Sequence, residues 1–462
     1  MRKTTRVLLA ILAAVILFQF ACSKMQMPIN NPDSEWLSGG GQTAFDGGSG
    51  SFSHMFSGMA TVQNRVHEVG DGQFSATFVT APAPLNPGLG PIYNNVSCIS
   101  CHVSDGRGKI PGTGESAANM LFRISIPGTG EHGNPVPVPN FGDQLQPRSI
   151  LGVSPEGDVT ITYTDHTYTF PDNTTYSLRT PDYKFINLYT PMPANVLLSP
   201  RVAAPVFGLG LLEAVSDADI LKLADPNDAN NDGIKGQANY VWDVLKQKKV
   251  LGRFGWKANQ PSILQQVAAA YNGDMGITNL LFPKESSEGQ TQFSSNPGSS
   301  SYELADSLLY SVEFYVKTLA VPVRRNATNP TVVQGKNLFT KTGCVKCHVS
   351  DLRTQVNVSF PQISNQLIHP YTDLLLHDMG EGLADNRPDF DASGRQWRTA
   401  PLWGIGLTQK VNNHTNFLHD GRARNLLEAI MWHGGEAEAA KNNFAQLSKK
   451  NRDALVAFLE SL

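Results

Sequence analysis

Two short stretches carry most of the chemistry in this chain: Cys98-Ile-Ser-Cys101-His102 and Cys344-Val-Lys-Cys347-His348. Each sets two thiols two residues apart with an imidazole directly after the second. Cys22 is the fifth cysteine, so the two motifs use every thiol outside the first 22 residues. In an exported chain this is the haem c attachment pattern. The paired sulfurs add to the two vinyl groups of one porphyrin, and the adjoining histidine turns back to ligate the iron. Cys98, Cys101, Cys344 and Cys347 are thus expected to attach two haem c groups, with His102 and His348 as iron ligands. Two disulfides would leave a histidine after both pairs unexplained. A zinc site built from both pairs would need ligands 243 positions apart (344 − 101), far beyond the usual zinc spacing. A thioredoxin-like pair belongs near a βαβ pattern, and none surrounds Cys98.

The start of the chain supplies the export. Arg2, Lys3 and Arg6 precede an apolar stretch from Val7 to Phe18, and Ala21-Cys22 resembles a lipoprotein cleavage site. Residues 1–22 are read as a lipoprotein signal peptide with Cys22 lipidated. Gln19 and Phe20 fit the lipobox poorly, which leaves a plain signal peptide open. The apolar run is shorter than the roughly 20 residues that span a bilayer. The expected location is the periplasm of a Gram-negative bacterium, with the protein anchored to a membrane through the lipid.

Charge is nearly balanced, 37 basic against 40 acidic residues, net −3, without long runs of either sign. That excludes nucleic acid as a partner. Gly (41) and Pro (29) are plentiful and charged residues make up 17%, as in a compact, loop-rich body.

The elements that must position the motifs can be read along the chain. Residues 23–85 read as a tether and an irregular N-terminal segment. Residues 86–329 read as the first haem domain, enlarged by loops and an insertion. Within it, "GDVTITYTDHTYTFPDNTTYSLR" (157–179) predicts a β-hairpin, "PVFGLGLLEAVSDADILKLA" (205–224) a helix, and "SSYELADSLLYSVEFYVKTLA" (300–320) an amphipathic helix ended by Pro322. Residues 330–462 read as a second haem domain, with a helix before its motif and another at the C-terminus, the plan of a small cytochrome c. The expected fold class is mainly α, with two cytochrome c-like haem domains.

Four further stretches, "RFGWKANQPSILQQVAAAYNGDMGIT" (253–278), "HPYTDLLLHDMGEGLAD" (369–385), "WRTAPLWGIGLT" (397–408) and "NFLHDGRARNLLEAIMWHGGEA" (416–437), carry a resemblance together with both motifs. The chain resembles the di-haem oxidoreductases of peroxidase and thiol-oxidoreductase type, relatives of bacterial di-haem cytochrome c peroxidases, from about residue 85 to the C-terminus. The resemblance implies two facing haem domains and an electron path between the irons. It implies that Trp256 relays electrons and that Gln266, ten residues on (266 − 256), belongs to the distal pocket of the first haem. It places Asp274 where the peroxidases carry a catalytic glutamate, but the acid is shorter and follows Gln266 by eight residues (274 − 266) rather than ten. For the second haem it puts His433 at the sixth-ligand position, with Met379 as the outside candidate. Met431 is excluded if His433 ligates, since residues two apart on a helix point about 200° apart.

A haem that splits peroxide needs an open face and an acid–base group to move a proton from the inner to the outer oxygen. Asp274 could serve, with Gln266 orienting the peroxide; ordinary helix-end and core roles are the alternatives. His419 and Arg398 are expected near haem propionates or beneath the ring, and His369 and His377 as structural. "DPNDANNDGIKG" gives a candidate calcium loop at Asp228, Asn230 and Asp232, matching the start of an EF-hand, although its twelfth position is Asn239 rather than Glu. A plain Asn/Asp/Gly turn is the alternative. The leading expectation is a peroxidase reducing hydrogen peroxide or a similar oxidant with electrons from a small redox protein or cytochrome. A non-catalytic electron-transfer cytochrome, or an oxidase of a partner protein's side chains, needs the same two haems.

Overall fold

The computed structural model describes residues 34–112, 115, 117, 119–293 and 302–462. The signal peptide, Cys22 and residues 23–33 of the tether lie outside the described residues. Glu35–Leu462 pack as one compact unit.

Five helices frame the two cysteine motifs: α1 (Thr61–Ser75), α2 (Ile263–Met275), α3 (Asp306–Lys317), α4 (Pro330–Thr342) and α5 (Lys449–Ser461). Four of them form two close pairs. α1 lies on α3, and Gly70 makes the approach possible, because a Cβ there would stand 2.1 Å from the Ser311 carbonyl oxygen. α4 lies on α5 in the same manner, with a Cβ at Gly335 falling 1.9 Å from the Ala454 oxygen. In the second pair α4 leads directly into its Cys-x-x-Cys-His turn, whereas in the first α1 ends at Ser75, well before Cys98, and packs against that turn. α4 shows how the sequence fixes this: Asn329 accepts from the Thr331 N–H at 2.9 Å, Pro330 opens the first turn, and Gly343 closes it in the left-handed region at φ +94°, directly before Cys344.

α1 lies in the stretch read as tether and irregular packing. Its buried residues are only His67, Gly70 and Phe74, so no apolar period announces it. α3 starts six residues later than expected, while Leu304 is already buried ahead of it. It ends at Lys317, and Pro322 instead pairs with Ala44 in a short parallel ladder. The helix expected over 205–224 breaks into Leu209–Glu213 and Asp217–Leu221, because Ser216 caps the second piece through the Asp219 N–H at 2.9 Å.

Helices make up 29% of the chain and strands 19%, so the strand share exceeds a mainly helical expectation. Every sheet among the described residues has two strands. The largest are β1 (Met120–Ser125) with β4 (Leu197–Val202), and the hairpin β2 (Asp158–Thr169) with β3 (Thr175–Ile186). The hairpin runs seven residues past its expected end and spans the molecule. Its root joins the core around Phe122 and Phe141, whereas Phe170 and Leu178 near its tip join the core of α4 and α5. There Arg452 of α5 donates to both Asp172 carboxylate oxygens, at 3.0 and 2.8 Å, and lies 3.8 Å over the Phe170 ring.

Two buried charges have consequences for stability. Lys257 is fully buried, pairs with Asp385 at 2.8 Å, donates to the Arg387 and Ser393 carbonyls, and sits over the Trp397 ring. Burial lowers its amine to about 8. Removing one partner strands the other charge, so Lys257→Met should cost about 3–5 kcal/mol in denaturant unfolding; a loss under 1 kcal/mol would refute this. Glu285 is buried with neither carboxylate oxygen bonded, and burial, followed by the Glu303 charge, raises its carboxyl to about 8. The folded chain keeps this proton up to about pH 8 while the unfolded chain releases it near 4.5. Its contribution is therefore present below 4.5 and lost as pH climbs through 8. Glu285→Gln should raise the melting temperature more at pH 8 than at pH 5, and equal shifts at both would contradict it.

Candidate functional site

Both cysteine motifs fold as one turn of 3-10 helix, Cys98–Ser100 and Cys344–Lys346. In each, the histidine N–H bonds back to the first cysteine's carbonyl at 3.0 Å, which turns the ring toward the sulfurs. The four described cysteines are unbridged. Burial, then the negative charge of Asp274, raises the Cys98 and Cys101 thiols to about 12. The imidazoles are set by backbone. His102 Nδ1 meets the Ala204 carbonyl at 2.8 Å and His348 Nδ1 meets that of Tyr371 at 2.9 Å. A carbonyl can only accept, so Nδ1 carries the proton and Nε2 is left bare to ligate. Burial lowers both rings to about 4, which keeps them neutral.

At the second motif a largely apolar cavity of about 260 Å³ is lined by Cys344, Cys347, His348 and His433. α-Helical structure ends at Met431, and His433 follows two residues later with Nδ1 on the Ala429 carbonyl at 2.7 Å. Its Nε2 is thereby bare as well, and burial lowers its pKa. His433 thus lies beyond the end of the helix, so the two residues are not two positions on one helix. Met431 packs into the α4–α5 core; Met379 lines the cavity. Arg107 and Arg398 also line it. Arg398 donates through Nε to the Gly255 carbonyl while its Nη1 is buried without a partner. Burial lowers both guanidinium groups to about 10. An apolar slot with two thiols, two bare imidazole nitrogens and an under-satisfied guanidinium group, Arg398, fits a haem with anionic propionates.

The first motif has different neighbours. The half-buried Asp274, at the end of α2, receives the Gln144 amide on Oδ1 at 2.9 Å, and burial raises its pKa against the opposing charge of Arg123. Its charge acts on both Cys98 and Cys101. Asn95 reaches the Cys101 sulfur at 3.8 Å. Tyr271, fully buried, has a hydroxyl with no hydrogen bond and feels the Cys98 charge. Gln266 does not join this group. It lies eight residues earlier on α2, about 12 Å away along the axis, and its side chain makes no protein hydrogen bond. Gln265 is the buried neighbour, tying α2 to Val244 N–H and the Trp242 carbonyl, each at 3.0 Å.

Trp256 connects the two surroundings. It lines the second cavity, and its indole N–H donates to the Val202 carbonyl at 2.8 Å, two residues before the carbonyl that holds His102. Arg107 lies 5.1 Å from its ring centroid. His419 stacks on Trp397 at 3.7 Å in the cavity wall, away from a ligating role. His377 is clamped by Asp373 at 2.8 Å and Glu436 at 2.7 Å. Burial opposes its charge, but Asp373, Cys347 and Glu436 win and raise it to about 12. Cys347, Asp373 and His377 could together hold a metal ion; a thioether at Cys347 would remove that thiolate. His369 pairs with Asp351 at 2.8 Å. In the candidate calcium loop, Asp228 and Asn230 accept from the Asp232 N–H, each at 2.9 Å, and Asp232 pairs with Lys346 at 3.1 Å. These groups are engaged as in a self-capped turn.

Sequence reasoning missed Arg107, Arg123, Gln144 and Tyr271. Arg107 lies five residues past His102 (107 − 102). Gln144 and Arg123 come from β1 and the loop after it, and no local spacing ties them to Asp274.

A search of curated proteins finds no match. Among solved structures, hydrazine synthase from Kuenenia stuttgartiensis, pressurised with xenon, is similar at 13% identity and a TM-score of 0.36, over 88% of this chain and 94% of that one. A likeness that weak carries no argument. The sequence of residues 34–462 matches the model of the family described as "Di-haem oxidoreductase, putative peroxidase", and the chain belongs to that family.

Proposed function

We propose that this oxidoreductase is an exported, lipid-anchored di-haem c enzyme of the periplasm that reduces hydrogen peroxide or a similar oxidant at its first haem. Its two cytochrome c-like halves would be built on α1–α3 and α4–α5. One observation carries the reading: the two motifs have matching proximal histidines but unlike surroundings. The second shares its cavity with a further bare imidazole, His433. The first has beside its thiols a carboxyl, Asp274, whose charge acts on both of them.

When bound, haem would supply an iron that takes peroxide where a coordination position is open and stores electrons where both are filled. His348 and His433 would fill the second site. Cys98, Cys101, Cys344 and Cys347 would hold the two groups covalently, and His102 would ligate the first. Asp274 would accept the proton of the inner peroxide oxygen and return it to the outer one, so that water leaves. Gln144, bonded to that carboxyl, would orient it; Gln266, expected to orient the peroxide, lies about 12 Å away along α2. Trp256 would pass electrons from the second site, which a small redox protein or cytochrome reloads. Arg107 and Arg398 would take propionate charge.

Two outcomes test the proposal. His433→Ala should turn one low-spin iron high-spin, and an unchanged spectrum removes His433 from the coordination sphere. Asp274→Asn should lower peroxide reduction by about 10²- to 10⁴-fold with haem content unchanged. If both irons of the natural protein stay low-spin and indifferent to peroxide in every redox state, the chain is an electron-transfer cytochrome instead.

A further inference from the structure

We infer that Glu156, with the carboxamides of Gln144 and Gln146, forms a proton-delivery path from the Thr291 surface to Asp274. This rests on the proposed role of Asp274. Reduction of one hydrogen peroxide takes two electrons and two protons and yields two waters. The electrons come from a reduced donor protein through the second site; the protons must come from solvent.

The path is a run of buried polar side chains. Gln144 donates through Nε2 to Asp274 Oδ1 at 2.9 Å and to the Gly273 carbonyl at 3.1 Å. Gln146 donates to the same carbonyl at 2.6 Å. Its backbone N–H donates to Glu156 Oε2 at 2.6 Å, and the Glu156 N–H returns to the Gln146 carbonyl at 3.0 Å. Gln290 stands against the far side of Glu156. The next residues, exposed Thr291 and buried Gln292, meet Tyr189 near the surface. Glu156 is 0% exposed, Gln144 2%, Gln146 3% and Gln290 8%.

A merely structural cluster would satisfy its own atoms. Here the Oε1 atoms of Gln144, Gln146, Glu156 and Gln290 are all buried without a protein partner. Buried acceptors are nearly always satisfied, and ordered water is the usual partner where protein provides none. Four such acceptors in sequence describe a hydrated thread. Carboxamides cannot carry a proton but orient the water that does. Glu156 can carry one: burial raises its pKa well above the ordinary value. Two carboxyl groups of raised pKa, Glu156 and Asp274, then stand at either end of an amide-lined segment, the outer one loading the inner.

The test uses the full-length, haem-loaded protein. In the natural protein with carbon-13-labelled glutamate, the infrared difference spectrum on reduction should show a protonated glutamic C=O band that shifts in D2O. An ionised Glu156, with no such band, overturns the path. Glu156→Gln keeps shape and acceptor but loses the transferable proton. It should slow peroxide reduction at least tenfold with a larger solvent isotope effect, at unchanged haem spectra and melting temperature. Wild-type turnover in Glu156→Gln beside a slow Asp274→Asn also overturns the path while leaving the role of Asp274 intact. Should Asp274→Asn itself run at the wild-type rate, the peroxidase role of Asp274 falls, and the infrared band alone decides for or against the path.

Discussion

Two hydrogen bonds, each from an imidazole Nδ1–H to a backbone carbonyl, govern what the rest of the structure must hold in place. A thiol pair fixes where a porphyrin edge can attach, but ligation also needs one ring nitrogen bare and aimed. The carbonyls of Ala204 and Tyr371 provide this at 2.8 and 2.9 Å, from residues 102 and 23 positions away from their histidines. Each carbonyl must itself be immobile. Ala204 follows β4, whose Val202 is bonded on one side to the Trp256 indole and on the other to the His419 carbonyl. Tyr371 is pinned through its hydroxyl to Glu35, which Arg324 and Lys336 also hold. Long-range packing is thus what makes a five-residue motif chemically competent.

The two halves solve the same mechanical problem with the same device and then diverge. In both, a glycine lets two helices cross so closely that a methyl group would collide with a carbonyl oxygen, at Gly70 and at Gly335. Beyond that shared frame, the second site is enclosed by apolar and aromatic side chains and given a second imidazole. The first is given carboxyl and carboxamide groups, several without protein partners. Low polarity suits a site that only changes charge by one electron; a polar, hydrated surround suits one that must move protons.

How much of this the sequence disclosed follows from how local each signal is. The cysteine motifs, the hairpin and the core of α3 were legible because their information lies within a few residues: fixed spacing, strand alternation, a helical period. α1 was not, since a face made of His67, Gly70 and Phe74 has no hydrophobic period to detect. The grouping of Asp274 with Gln144 and Arg123 was invisible for a different reason. It joins the end of α2 to β1 and its following loop, about 130 residues earlier, through side-chain contacts that no pattern within either segment encodes. Gln266 illustrates the converse. The resemblance suggested partnership with Asp274 although their interval departs from the family's, and a continuous helix between them sets them about 12 Å apart along its axis.

The insertion between the motifs, read from sequence as an embellishment of the first half, carries a structural duty toward the second. Strands β2 and β3 cross to α5, where Arg452 grips Asp172 and covers Phe170, and on the way Tyr183 donates to Asp420 at 2.9 Å and Arg179 to the Arg422 carbonyl at 2.7 Å. Asp420 and Arg422 flank Gly421, directly after His419 in the cavity wall. A long hairpin standing free in water would be only marginally stable. Anchored at both ends, it fixes the distance between the β4 carbonyl that orients His102 and the wall that encloses His348. The proposed electron transfer between the two sites would depend on their separation staying constant, and a strap tied at root and tip is a direct way for one chain to secure it.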